Sequence, residues 1–182
     1  MKRKLLLSLI FLFSLFSFTV RSQSYSDGYS LTFGAVQNGI GGLFSYNYFL
    51  DRHDFFEASI LLTASNYKYL EDIKIPYNDF TVNIGYSKNV FYNYQNTFNV
   101  NLSAGGIFGY ETLNKGDKNL SNGALILSKP GFIYGGYIGI DLDVSLSNRT
   151  SIIVKGNEFF HANSSLGQFI PYVGIGLRLY PN

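Results

Sequence analysis

The chain has 182 residues, of which 18% are aromatic and 14% charged, with no cysteine and a formal net charge of +2 at pH 7. The absence of cysteine excludes disulfides, thiolate metal sites, cysteine nucleophiles and a lipoprotein-type anchor, and the charged fraction is well below the roughly 25% usual in soluble domains. Residues 1–22 carry four basic side chains and no acidic one, which leaves ten basic and twelve acidic residues in the rest of the chain, a net charge of −2 that argues against a nucleic-acid surface.

The first 22 residues have the organisation of a secretory signal peptide. Lys2, Arg3 and Lys4 precede an apolar run over 5–20, and the expected cleavage region follows at 21–22. A membrane-anchoring helix is the alternative, but the run is shorter than the ~20 apolar residues that span a bilayer and contains several serines. We therefore expect residues 1–22 to be a cleaved signal peptide and residues 23–182 to form a single domain.

From residue 28 onward, apolar and small polar residues alternate with the period of β-strands. In the first segment, 28–37, Leu31 and Phe33 lie on one face and Thr32 lies on the other, and Asn38-Gly39 then predicts a tight hairpin turn. No segment after the leader has a convincing helical period. The remaining strands are predicted at 40–50, 55–65, 79–88, 97–110, 132–146, 150–160 and 168–180.

The segment 132–146 shows the pattern most fully, with an apolar row on one face and glycine, tyrosine, serine and two aspartates on the other. Its length exceeds the roughly 9–11 tilted strand residues that cross the hydrocarbon layer of a bilayer. The seventh strand fits least well, because Glu158 falls on its apolar face. Eight such strands predict an antiparallel β-barrel.

The polar face decides between two kinds of barrel. In a soluble, lipocalin-like barrel the apolar face points inward and water meets the polar face; in an outer-membrane barrel the arrangement is reversed. The polar face here is mainly glycine, serine, threonine and asparagine, which suits a narrow lumen better than a solvated surface. The sequence therefore predicts an all-β fold, an eight-stranded antiparallel transmembrane β-barrel of the outer membrane.

Aromatic residues and loop lengths predict how this barrel sits in the membrane. Connections at 66–77 and 111–131 are long, whereas those at 51–54, 89–96 and 147–149 are short. Outer-membrane barrels have short periplasmic turns and longer external loops, so both termini are expected in the periplasm. Aromatic residues predicted near strand ends, as an interfacial girdle requires, are Tyr46, Tyr48, Tyr86, Tyr110, Phe159 and Phe160.

Five ionisable residues fall on the predicted lumen face. A selectivity ring or proton path is one interpretation of them, but eight strands leave little room for a solute channel, and we expect a charge-compensated structural cluster. Asp141 and Asp143 could also suggest paired catalytic carboxylates or a calcium site, although nothing nearby supplies further ligands at a recognisable spacing. The five residues are Glu57, Asp141, Asp143, Lys155 and Arg178.

The two histidines do not form a catalytic pattern in the sequence. His53 is predicted in a turn and His161 in a loop, both solvated, and neither a nucleophile-elbow serine motif nor a zinc-protease motif occurs. We expect no enzyme activity, no cofactor, no metal and no catalytic or cofactor-binding residue.

The loop around residues 111–131 and its flanks carry a family resemblance. Together with the ending at Gln168–Leu179, they resemble the conjugative transposon protein TraO family of Bacteroidetes. The similarity covers roughly residues 65–180. The segments that carry it are GYETLNKG at 109–116, NGALILS at 122–128, FIYG at 132–135, YLEDIKIP at 69–76 and QFIPYVGIGLRL at 168–179.

The resemblance implies a role in conjugative DNA transfer, as an outer-membrane part of the mating apparatus without catalytic residues. The expected partners are outer-membrane lipid and other conjugation proteins, with no direct nucleic acid and no small-molecule substrate. Two alternatives remain: a small general barrel for adhesion or envelope stability (OmpX-like), and a barrel enzyme acting on lipid or protein.

Overall fold

A computed structural model describes residues 27–51, 53–70, 73–95, 97–114, 130–164 and 167–181, with the backbone alone at 67–70 and 73–74. The predicted signal peptide and most of the loop at 111–131 lie outside these residues. Among the residues described, no helix is both long enough and apolar enough to cross a bilayer.

Eight antiparallel strands form one closed barrel, which confirms the predicted fold. Each strand pairs with the next in the chain, and β1 closes the barrel by pairing with β8, from Tyr29 with Leu179 to Val36 with Tyr172. The strands are β1 (Gly28–Val36), β2 (Gly39–Phe49), β3 (Phe55–Leu70), β4 (Ile73–Tyr92), β5 (Phe98–Leu113), β6 (Gly131–Ser147), β7 (Thr150–His161) and β8 (Phe169–Leu179).

We call the end of the barrel where β1–β2, β3–β4, β5–β6 and β7–β8 are connected the loop end, and the opposite end, which holds both chain termini, the terminus end. The segment 66–77, predicted as a loop, is for the most part strand: β3 and β4 continue through it and pair with each other up to Leu70 and Ile73. β2 pairs with β3 only as far as Ser65, and β5 pairs with β4 only as far as Tyr77. The β3–β4 hairpin therefore projects beyond the described parts of β2 and β5 at the loop end.

The outer surface of the barrel is apolar over the height of the strands. Large aliphatic and aromatic side chains on every strand point away from the lumen, as alternation predicts. Phe159 is an exception to the predicted girdle, since its side chain is fully buried inside the barrel, while Phe160 points outward. Among the most exposed apolar side chains are Phe33, Ile40, Ile84, Phe132, Ile138 and Ile175.

The lumen is filled in layers rather than left open. Along β3, the inward side chains from the terminus end are Phe55, Glu57, Ser59, Leu61, Thr63 and Ser65. Glu57 belongs to a charged layer, whereas Leu61 belongs to an apolar layer nearer the loop end. The buried apolar cluster consists of Val36, Leu43, Leu61, Ile107, Tyr137, Phe159, Ile170 and Tyr172.

Glycine on the lumen face makes room for the aromatic rings of the apolar layer. A Cβ atom added at Gly174 would overlap the hydroxyl group of Tyr172 and lie 2.6 Å from its Cζ. The Tyr172 hydroxyl in turn lies 2.7 Å from Thr32 Oγ1. The ring of Tyr172 can occupy this place only because residue 174 has no side chain.

Candidate functional site in the barrel lumen

The five predicted lumen charges meet in one layer, although they come from four different strands. Glu57 is on β3, Asp141 and Asp143 are on β6, Lys155 is on β7 and Arg178 is on β8. Each points inward because it occupies the same alternating row as the small polar residues of its strand. All five side chains are at most 2% exposed.

Ion pairs cross the lumen within this layer. Lys155 Nζ lies 2.5 Å from Glu57 Oε2 and 3.2 Å from Asp141 Oδ2. Arg178 continues the chain, with Nη2 at 3.3 Å from Asp141 Oδ2 and Nη1 at 2.5 Å from Asp143 Oδ2. Buried charges need this kind of pairing, since desolvation costs several kcal/mol for each ion.

Neutral and aromatic side chains complete the charged layer. With its amide oriented to satisfy both neighbours, Asn47 donates to Glu57 Oε2 at 3.1 Å and accepts from Arg178 Nε at 3.2 Å. The Arg178 guanidinium carbon lies 5.0 Å from the centre of the Phe55 ring, within cation–π range. Tyr180 contributes a hydroxyl at 3.2 Å from Asp143 Oδ2.

This geometry favours a structural role for the layer over a catalytic or calcium-binding one. Each carboxylate directs one oxygen to a lysine or arginine, so Asp141 and Asp143 already have cationic partners. A continuous polar path is also interrupted by the apolar layer above. Among the described residues, no group of three or more His, Asp or Glu side chains is arranged to hold a metal ion.

The structure corrects the prediction for the histidines. His161 is the last residue of β7, and its side chain is fully buried in the barrel instead of solvated in a loop. His53 lies in the turn before β3, as predicted, and its ring stacks on that of Tyr92 with centroids 4.3 Å apart.

Two further lumen acids, Asp79 and Glu111, were missed because the sequence placed them at the edges of loops. Both lie on strands at the loop end and are buried. β4 and β5 extend beyond the segments in which apolar and polar residues alternate. Asp79 and Glu111 lie an even number of residues from lumen-facing positions of their strands, and this spacing could have predicted that they face the lumen.

A carboxylate at the terminus end fastens β3 to β4. Asp54, in the turn before β3, accepts hydrogen bonds from the Tyr86 hydroxyl at 2.7 Å and from Lys88 Nζ at 2.9 Å. Its second oxygen accepts a hydrogen bond from the backbone amide of Asn89 at 2.9 Å. Burial would raise the pKa of Asp54, but these donors and the positive charge of Lys88 outweigh it and lower the pKa to about 2.

Comparison with protein families identifies the chain. The family described as conjugative transposon protein TraO matches residues 17–180, nearly the whole length. The chain belongs to the TraO family. This extends the resemblance seen at 65–180 to the first strands, and it associates the barrel with conjugative transposons. A comparison with curated protein sequences found no match.

Solved structures show the same fold as this TraO-family chain at low sequence identity. Neisserial surface protein A (NspA) is 9% identical, with a TM-score of 0.56 over 84% of this chain and 94% of NspA. Ail, the attachment invasion locus protein of Yersinia pestis, is 13% identical, with a TM-score of 0.51 over 86% of this chain and 100% of Ail. Both are outer-membrane β-barrels, and the likeness concerns the fold alone.

Proposed function

We propose that this TraO-family protein is a non-catalytic outer-membrane component of a conjugative DNA-transfer apparatus. The observation that carries the proposal is the family match over residues 17–180 on a closed eight-stranded barrel. The barrel is the membrane anchor, and contacts with other transfer proteins are made by surfaces outside the bilayer.

The outer surface supports placement in a membrane. Exposed large apolar side chains occur on all eight strands, and together they form a far larger patch than the few hundred square ångströms tolerated in water. A closed barrel leaves no strand edge in the hydrocarbon layer. With a signal peptide at residues 1–22, export to the outer membrane follows, and the termini lie in the periplasm.

The filled lumen supports an anchoring role over transport or catalysis. In the part of the chain that the structure describes, charged side chains of the central layer are engaged with one another, and apolar side chains close the lumen beside them. The contacts through which this protein acts must therefore be made at the two ends of the barrel. The projecting β3–β4 hairpin is the described feature that reaches farthest from the membrane.

Gene deletion tests the proposal. In a donor strain carrying the transposon, removal of this gene should abolish transfer to a recipient without slowing growth, and the wild-type gene supplied in trans should restore it. Normal transfer frequencies after deletion would reject the proposal. Normal transfer combined with sensitivity to detergents or loss of adhesion would indicate the general envelope or adhesion barrel instead.

A shortened hairpin tests where the contact is made. Asn66 pairs with Pro76, so replacing residues 67–75 by Asn-Gly should preserve the barrel and remove only the projection. We expect this variant to reach the outer membrane in wild-type amounts, to keep its heat-modifiable migration, and to fail in restoring transfer. Full restoration would show that the hairpin tip is not the contact surface.

A further inference from the structure

The loop end of the lumen contains two acidic residues that form no ion pair with a lysine or arginine of the described chain, unlike the acids of the central layer. Asp79 on β4 and Glu111 on β5 are directly opposite each other in the strand pair. Both belong to inward-facing rows, and each is only 2% exposed. Their Cβ atoms are therefore neighbours, since directly opposed residues on one face of a sheet lie about 4.5–5.5 Å apart.

The hydrogen bonds of this pair leave both carboxylate oxygens of Asp79 unsatisfied within the described chain. Glu111 accepts a hydrogen bond from Ser164 Oγ at 2.6 Å, and Ser164 belongs to the connection between β7 and β8. None of the ion pairs among the described side chains involves either acid.

Hydroxyl groups on the adjoining strand supply a second, independent indication. Ser65 is 4% exposed, faces the lumen opposite Tyr77, and its Oγ has no hydrogen-bond partner in the described structure. Thr63, one position below on the same face, accepts from the Asp79 amide through its Oγ1 at 3.0 Å. Two carboxylates and the hydroxyl groups of Ser65 and Thr63 thus occupy neighbouring inward-facing positions at the mouth of the barrel.

We propose that Asp79 and Glu111 form a binding site for a hard divalent cation, of which Ca²⁺ fits best. Two adjacent buried carboxylates repel each other and are costly unless a cation or a proton neutralises them. The donors are all oxygen atoms, which Ca²⁺ prefers in flexible sets of six to eight that can include water. Mg²⁺ demands a nearly regular octahedron, which this uneven set of side chains does not provide.

A cation here would join three separate parts of the loop end. Glu111 is bonded to the β7–β8 connection through Ser164, while Asp79 and Ser65 belong to the base of the projecting hairpin. Binding should therefore stabilise the mouth of the folded barrel and leave the charged layer nearer the terminus end unchanged.

Terbium luminescence tests the site directly, because Tyr77 lies beside it and can transfer excitation energy to a bound Tb³⁺ ion. With the refolded full-length mature chain in detergent at pH 7.5, we expect saturable Tb³⁺ luminescence that Ca²⁺ displaces. Asp79→Asn combined with Glu111→Gln should weaken Tb³⁺ binding at least tenfold. Glu158→Gln, which removes an acid from the outer face, is the matched control and should bind as the wild type does.

Two results would overturn the proposal. One is a folded wild-type barrel, shown by heat-modifiable migration, that has no saturable Tb³⁺ site. The other is equal Tb³⁺ affinity in the double variant and in the Glu158→Gln control. If the double variant fails to fold, the wild type decides alone: millimolar Ca²⁺ should raise its thermal unfolding midpoint, and an unchanged midpoint would count against the site.

Discussion

At the scale of single residues, the lumen shows how a membrane barrel keeps charges inside itself. Lys155 contacts Glu57 and Asp141 at once, so one ammonium group is shared between acids that reach it from two other strands. The positions of these side chains follow from alternation alone. Their pairing does not, because it depends on which rows the closure of the barrel brings face to face.

Removal of both partners of one ion pair in this layer should cost less than the sum of the two single removals. Lys155→Met leaves Glu57 buried without its cation and should reduce the free energy of unfolding by about 3–5 kcal/mol. In the double variant Lys155→Met/Glu57→Gln the loss should be clearly smaller than the sum of the two single losses. Urea unfolding of the refolded barrel in liposomes measures all three. Additive losses would show that the pair does not act as a unit.

The lowered pKa of Asp54 makes the stability of the barrel depend on pH at the terminus end. The pKa of its carboxyl is about 2 in the folded chain, below the model-peptide value of 3.8. Its contribution to stability is therefore complete above about pH 4 and is lost as pH falls through about 2. Asp54→Asn should flatten this part of the acid-unfolding curve, measured by tyrosine fluorescence. An unaltered curve in the variant would contradict the role assigned to its hydrogen bonds.

At the scale of elements, the strands could be predicted where they pass through the apolar layer and not beyond it. Alternation located all eight, but it ended β3 at residue 65 and began β4 at 79, whereas the structure continues them to Leu70 and from Ile73. Polar and charged residues are frequent over 66–74, so the sequence there no longer shows the alternation of a strand.

The same limit explains what was missed at the candidate sites. The five central charges lie within the alternating part of their strands and were found, while Asp79 and Glu111 lie where that alternation fades. His161 was placed in a loop because the predicted seventh strand ended at residue 160, whereas β7 continues to His161. Closure of the barrel resolves both cases.

Two glycines, one on the lumen face and one on the outer face of the barrel, test how the strands pack. Gly174→Ala should destabilise the barrel by about 1–3 kcal/mol, because the new methyl group overlaps the Tyr172 ring. Most of that cost should disappear in a Tyr172→Leu background. Gly156→Ala on the outer face is the control, since its Cβ would meet Ile140 at an ordinary 3.4 Å. Equal losses at both positions, measured by urea unfolding, would contradict the assigned lumen packing.

At the scale of the whole molecule, the proposed function depends on which face of the strands points outward. If apolar rows face lipid and polar rows fill the lumen, the protein is a plugged membrane anchor whose activity lies at its ends. If the faces were reversed, it would be a soluble barrel around a hydrophobic pocket. Burial in the closed barrel supports the first arrangement, with Leu102 and Ile140 exposed and Ser103 and Asn157 buried.

Site-directed labelling measures this polarity most directly, and the chain suits it because it contains no cysteine. Single cysteines at Leu102 and Ile140, and at Ser103 and Asn157 as lumen controls, can carry a small environment-sensitive fluorophore in liposomes that contain brominated lipid. We predict strong quenching by the bromine atoms at Leu102 and Ile140 and little at Ser103 and Asn157. Equal quenching at all four positions, or stronger quenching at the lumen positions, would contradict the account.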